Sequence, residues 1–123
     1  MSRETEQIYW LPRPPSVNAL YRNVVGKGRA KTKLYKTWIK AAGWELDSQG
    51  AVAISGPVSI DIAVSEVGGP KTEDLDNKAK AILDLLVTHK VIEGDAKPYV
   101  REIRLHWLAC VVEGVNVTVR AAA

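Results

Sequence analysis

A chain of 123 residues is long enough to bury a real core as one domain and too short for two. Its apolar share of 46% and charged share of 25% are those of an ordinary soluble globular protein, and its single cysteine, Cys110, excludes an internal disulfide or a zinc site built on cysteine alone. The net charge of +3, with a pI near 9.1, is only mildly basic, so the distribution of charge says more than its total.

The amino terminus, MSRETEQIYW, has no apolar segment of a secretion signal, and no apolar run approaches a membrane span. Together with the lone cysteine this leads to the expectation of a soluble cytoplasmic protein. Ile8–Leu11 reads as a first strand, stopped by Pro12 and then Pro14-Pro15, which cannot continue a ladder. Ser16 to Lys33 reads as a long polar loop with Gly26, Gly28 and Tyr21, and loops of that length are usually functional or mobile. Tyr35, Trp38, Ile39, Ala42 and Leu46 then recur at helical spacing, predicting a helix from about Lys33 to Ser48 with Gly50 at its C-terminal cap.

Val58, Ile60, Ile62 and Val64 alternate with Ser59, Asp61, Ala63 and Ser65, the pattern of a half-buried strand. After Gly68-Gly69-Pro70, the residues Leu75, Ala79, Ile82, Leu83 and Leu86 form the apolar stripe of a second helix reaching roughly Thr88. Val91-Ile92 reads as a brief extended piece before a turn at Glu93-Gly94-Asp95. Tyr99–Val112 and Val115–Val119 read as two strands joined in a hairpin at Glu113-Gly114. The order β-α-β-α-β-β predicts a single α/β (α+β) domain over residues 1–123, with one mixed sheet and both helices on one face.

Two features carry chemistry. From Arg13 to Lys40 the chain holds Arg13, Arg22, Lys27, Arg29, Lys31, Lys33, Lys36 and Lys40 and no acid. Such a stretch suits a nucleic-acid backbone, or else is a solvated loop and helix face. The second feature is EDLDNKAKAILDLL, Glu73 to Leu86, whose first half crowds three acids and Asn77 together. Acids in a first helical turn gain about 0.3–1 kcal/mol each from the helix dipole, and Asp74–Lys78 and Asp76–Lys80 have the spacing of i,i+4 ion pairs. A metal reading competes. With Asp74 as a non-helical cap and Asp76 in the first turn, both carboxylates can face one point, and Mg2+ takes a few carboxylate oxygens plus waters and phosphate. Asp95 is the candidate third acid, and Lys80 stands one turn after Asp76.

Four blocks in order resemble the RusA family of Holliday-junction resolvases: LPRPPSVNALYR (Leu11–Arg22), YKTWIKAAG, EDLDNKAKAILDLL and VIEGDAKPYV. The resemblance implies a homodimeric Mg2+-dependent endodeoxyribonuclease, with Mn2+ as a substitute, which resolves four-way DNA junctions by paired nicks in recombination and repair. It implies Asp74, Asp76 and Asp95 as metal ligands and catalytic groups, Lys80 as a catalytic cation and Asn77 in support. Arg13, Asn18, Tyr21, Arg22, Lys27, Arg29, Lys31 and Lys33 become the candidate DNA contacts. Two positions depart from the family pattern. Gly94 stands where a second acid often precedes the third ligand, and the run before Asp74, GGPKTEDLD, holds only Lys71 as a base. The rival reading is a non-catalytic, structure-selective DNA-binding dimer. His89 and His106 lack metal-ligand spacing with any other His or Cys, and Trp10, Trp38, Trp44 and Trp107 fit core or interface positions.

Overall fold

The structure is a computed structural model that describes residues 6–122. Strand β1 (Glu6–Leu11) leads through a 3-10 turn, Val17–Ala19, into β2 (Tyr21–Val24) and β3 (Gly28–Lys31). Helix α1 (Lys33–Ser48), β4 (Val58–Ser65), a second 3-10 turn (Leu75–Lys78), α2 (Ala79–Thr88), β5 (Val100–Leu108) and β6 (Val115–Ala121) follow. The main sheet has four strands in the order β1-β6-β4-β5, while β2 and β3 form a separate two-stranded sheet. No helix is long and apolar enough to cross a membrane among the described residues.

The alternation along β4 places Val58, Ile60, Ile62 and Val64 on one face, opposite Val115, Val117 and Val119 of β6. Tyr9 and Leu11 of β1 share that face through their pairing with Val117 and Val115. Both helices close over it. Tyr35, Trp38, Ala42 and Leu46 from α1 join Ala81, Ile82, Leu85 and Leu86 from α2 in the same buried cluster as the strands. Each fully buried aliphatic side chain there contributes about 1.5–3 kcal/mol from leaving water. The other face carries Ser59, Asp61, Asn116, Thr118 and His106, with a 2.8 Å hydrogen bond between His106 and Asp61. His106 thus has a partner on its own sheet face, away from the apolar phase.

Helix α1 has the bounds its periodicity predicts, and both ends are built locally. The Thr32 hydroxyl accepts a hydrogen bond from the Tyr35 N–H (3.1 Å). At the other end Gly50 has φ +77, and the N–H groups of Gly50 and Ala51 donate to the carbonyls of Asp47 (3.1 Å) and Leu46 (3.0 Å). That is a Schellman ending, in which a left-handed glycine satisfies the last carbonyls.

The structure corrects four expectations. The Ser16–Lys33 segment is a folded hairpin, not a polar loop: Tyr21 pairs with Lys31 and Asn23 with Arg29, and the turn is closed by Lys27 N–H to Val24 C=O (3.0 Å). Polar strands of four residues carry too little apolar alternation to be read from sequence. Strands β5 and β6 do not form a hairpin, because β4 lies between them, parallel to β5 and antiparallel to β6. Strand β5 ends at Leu108 instead of Val112, and the released residues carry the chain across the end of β4. There Leu108 C=O accepts from Glu66 N–H (3.1 Å) and Gly114 C=O from Ser65 N–H (3.0 Å). Val91-Ile92 is a buried bend, not an extended piece, and Val91 C=O accepts from Ile54 N–H (2.8 Å).

Candidate functional site

Asp74 occupies the N-cap position of the 3-10 turn with extended backbone, φ −84 and ψ 132, and its carboxylate makes no capping bond. Asp76 follows in the first turn, and both residues are exposed. Extended backbone at Asp74 followed by a turn at Asp76 is the arrangement that lets acids two apart share a side. The expected ion pairs along this segment do not form. Lys80 binds Asp84 (3.3 Å), one turn onward, instead of Asp76. Lys78 points inward instead of toward Asp74 and is 1% exposed.

Lys78 had a legible signal, since it lies three residues after Leu75 and four before Ile82, in the buried phase of the helix. Its ammonium donates to Pro14 C=O (3.2 Å) and pairs with Glu73 (2.9 Å). Glu73 also pairs with Arg13, and Gly69 lies against the Arg13 guanidinium so closely that a side chain there would collide with it. Burial, and then the charge of Arg13, push the Lys78 ammonium down to about 8. This buried cluster fastens two sequence blocks together, Pro14 to Ala19 and Glu73 to Lys78, and their two 3-10 turns touch. Asn18, exposed on the first turn, is thereby carried next to the Asp74–Asp76 turn, and Asn77 is half-buried beneath it.

Asp95 lies elsewhere. It lines a cleft of about 330 Å³ with Tyr21, Lys31, Tyr35, Asp84 and Thr88. That cleft flanks the second half of α2, whereas Asp74 and Asp76 precede the first half. Asp76 and Asp84 are eight residues apart, about 12 Å along a helix. Burial, and then the Asp84 carboxylate, push the Tyr35 phenol up to about 12. Asp84 is thus remote from Asp76, and in the fold it is the acid that accompanies Asp95.

The basic residues divide in the same way. Tyr21, Asn23, Arg29 and Lys31 share one hairpin face, the Arg29 guanidinium sits 4.6 Å over the Tyr21 ring, and Tyr21 meets Tyr35 edge-on at 5.7 Å. Tyr21 and Lys31 extend that face to the cleft of Asp84 and Asp95. Arg22 is exposed on the opposite hairpin face, Lys27 in the turn and Lys33 at the start of α1. Arg13 stands apart, mostly buried and paired with Glu73.

Asp74 and Asp76 supply two exposed carboxylates that no neighbouring side chain neutralises among the described residues. They suit Mg2+, which is held by one or two carboxylates together with water and phosphate. Asp95 is not gathered with them, and among the described residues no group of three or more His, Cys, Asp or Glu is placed to hold a metal ion. No family model matches the chain, and no curated protein matches it significantly.

Proposed function

We infer that the protein is a divalent-metal-dependent endonuclease acting on branched DNA, of the kind that resolves four-way junctions. The observation that carries this reading is the pair of unneutralised carboxylates, Asp74 and Asp76, on a turn clamped by Lys78 to the Pro14–Asn18 segment. Those two residues would hold Mg2+ or Mn2+, whose chemistry when bound would be to acidify a water and polarise the phosphate. The clamp holds the carboxylates at a fixed place on a rigid edge of the core, which limits the reorganisation needed on substrate binding. Lys80 beside the turn offers a positive charge to a phosphate, in competition with Asp84. Arg22, Lys27, Arg29, Lys31 and Lys33 on and beside the hairpin grip the backbone without reading bases, and Tyr21 offers a ring beside them.

The test is incubation of a labelled four-way junction, a linear duplex and a single strand, each with and without Mg2+. Metal-dependent paired nicks confined to the junction are expected. Asp76→Asn should abolish cleavage while junction binding is retained, and full activity in that variant would sink the assignment. The separation of Asp95 from Asp74 and Asp76 favours a second reading, a DNA-binding protein that does not cut. Retention of all three DNAs without nicks would decide for it.

A further inference from the structure

Along the outer side of α1 the chain leaves apolar surface uncovered. Trp44 is 67% exposed and Leu34 59%, and between them on the same stripe stand Thr37 and Ala41, small and exposed. Opposite this stripe runs the segment from Trp10 to Pro15, which Trp38 Nε1 ties to the helix by donating to Pro12 C=O (2.9 Å). Two cavities open between helix and segment. One, of about 630 Å³, lies at the Trp44 end against Trp10 and Pro12; the other, of about 330 Å³, lies at the Leu34 end against Pro14 and Pro15. Thr37 and Ala41 line both, so the two form one groove with a floor of small residues. Leu34 and Trp44 are ten residues apart, about 15 Å along the helix, or roughly three turns of a second one laid beside it.

The charge on this groove is one-sided. Going round α1 from the buried Trp38, the order is Leu34, Ala41, Thr37 and Trp44, then Lys33, Lys40 and Lys36, so the three lysines form the outer rim. All three are exposed, and among the described residues none is paired with a carboxylate. Glu45, on the inner side, is held by the Gln49 amide (2.9 Å), and Glu113 lies at the far end against Gly68. An occupant therefore needs aliphatic side chains toward the floor and acids toward the outer rim. A helix with those two faces meets both demands, in the way amphipathic helices lie in apolar grooves. A nucleic-acid strand fits less well, since rings for base stacking stand only at the Trp10–Trp44 end and phosphates would find cations on one side alone. Helix α1 of a second copy would bring the same lysines and no acid before Glu45.

We propose that this groove docks an acidic amphipathic helix of a partner protein, with its apolar face on Thr37 and Ala41 and its carboxylates on Lys33, Lys36 and Lys40. The proposal stands apart from the nuclease reading. Its test is to pan a phage-displayed library of random peptides, roughly 15 residues long so that a helix can form, on the immobilised full chain. The most enriched peptide is then synthesised and its binding measured by fluorescence anisotropy. Enriched sequences should carry acids beside apolar residues at i, i+3 or i+4, and i+7. Ala41→Gln, which fills the floor at an exposed position, should weaken binding about tenfold or more. Lys36→Glu together with Lys40→Glu should weaken it to a similar degree, about tenfold. Exchanging the peptide's acids for lysines should restore binding to that double variant, a rescue that decides the matter even if Ala41→Gln disturbs the helix. No enriched sequence, an enriched peptide without acids, or one indifferent to both variants would overturn the proposal. So would binding of a labelled oligothymidylate, or self-association of the chain, that Ala41→Gln abolishes, because the groove would then belong to a nucleic-acid strand or to a second copy. Junction cleavage is scored separately, in its own assay.

Discussion

Lys78 holds an ammonium group at 1% exposure between one carboxylate and a second cation. Glu73 serves both Arg13 and Lys78, so the cluster keeps a net positive charge away from water, and burying a charge costs more than a single shared partner returns. The sign of the resulting pH dependence follows. Lys78 titrates near 8 in the fold and at 10.5 when free, so between those values the unfolded chain binds the extra proton and stability rises with pH. Replacing Lys78 by Met, similar in length and uncharged, should therefore stabilise the fold at pH 7. That advantage should shrink by about 2 kcal/mol between pH 8 and 10. Urea melts of both proteins at pH 7 and 10 measure the difference, and an advantage that does not change with pH would contradict a buried ammonium. The window closes near pH 10, above which Tyr9 and Tyr35, both pushed up to about 12 chiefly by burial, begin to lose stability as their unfolded forms ionise.

The β2–β3 hairpin depends on its attachments, since an isolated two-stranded ribbon is marginal in water. Thr32 is the main attachment. Its hydroxyl donates to Ala19 C=O (2.6 Å) and accepts from Tyr35 N–H, and its own N–H donates to Leu20 C=O (3.0 Å). One side chain thus caps α1 and fixes the base of the hairpin that carries Tyr21, Arg29 and Lys31. Thr32→Ala should cost about 1–2 kcal/mol in thermal or urea unfolding. In a DNA-binding assay the same variant should weaken affinity without removing any charge, because the basic face is no longer held in place. A variant as stable as the wild type would show that the hairpin is anchored elsewhere. Helix α2 shows the opposite economy, with no side-chain cap at its start and a 3-10 turn in front of it that leaves Asp74 and Asp76 unneutralised.

In the whole molecule, β4 is the strand everything else is built on. It has a partner on each side, and its inward residues Val58, Ile60, Ile62 and Val64 are at most 1% exposed. Its interior amides should open only with global unfolding, while those of the hairpin open locally. Native-state hydrogen exchange should accordingly rank Ile60 and Ile62 among the slowest amides and Arg22 to Lys31 among the fast ones. Hairpin protection equal to that of β4 would mean the second sheet belongs to the same cooperative unit.

Periodicity alone determined both helices, the strands β1 and β4 and the layered α+β class, because each of these elements buries one continuous apolar face and so writes its own period into the chain. The pairing potential of Asp74 and Asp76 was equally legible, since a cap followed by a first turn is a local conformation. Three things were decided only in the folded state. Strand order placed β4 between β5 and β6, a long-range choice that the apolar run Trp107–Val112 disguised as a continuing strand. The short polar hairpin is held by Thr32 and the Tyr21–Tyr35 contact, partners that local pattern does not reveal. Long-range packing also gave the inward-phased Lys78 its Pro14 carbonyl and set Asp95 beside Asp84, because which groups meet there depends on segments far apart in the chain.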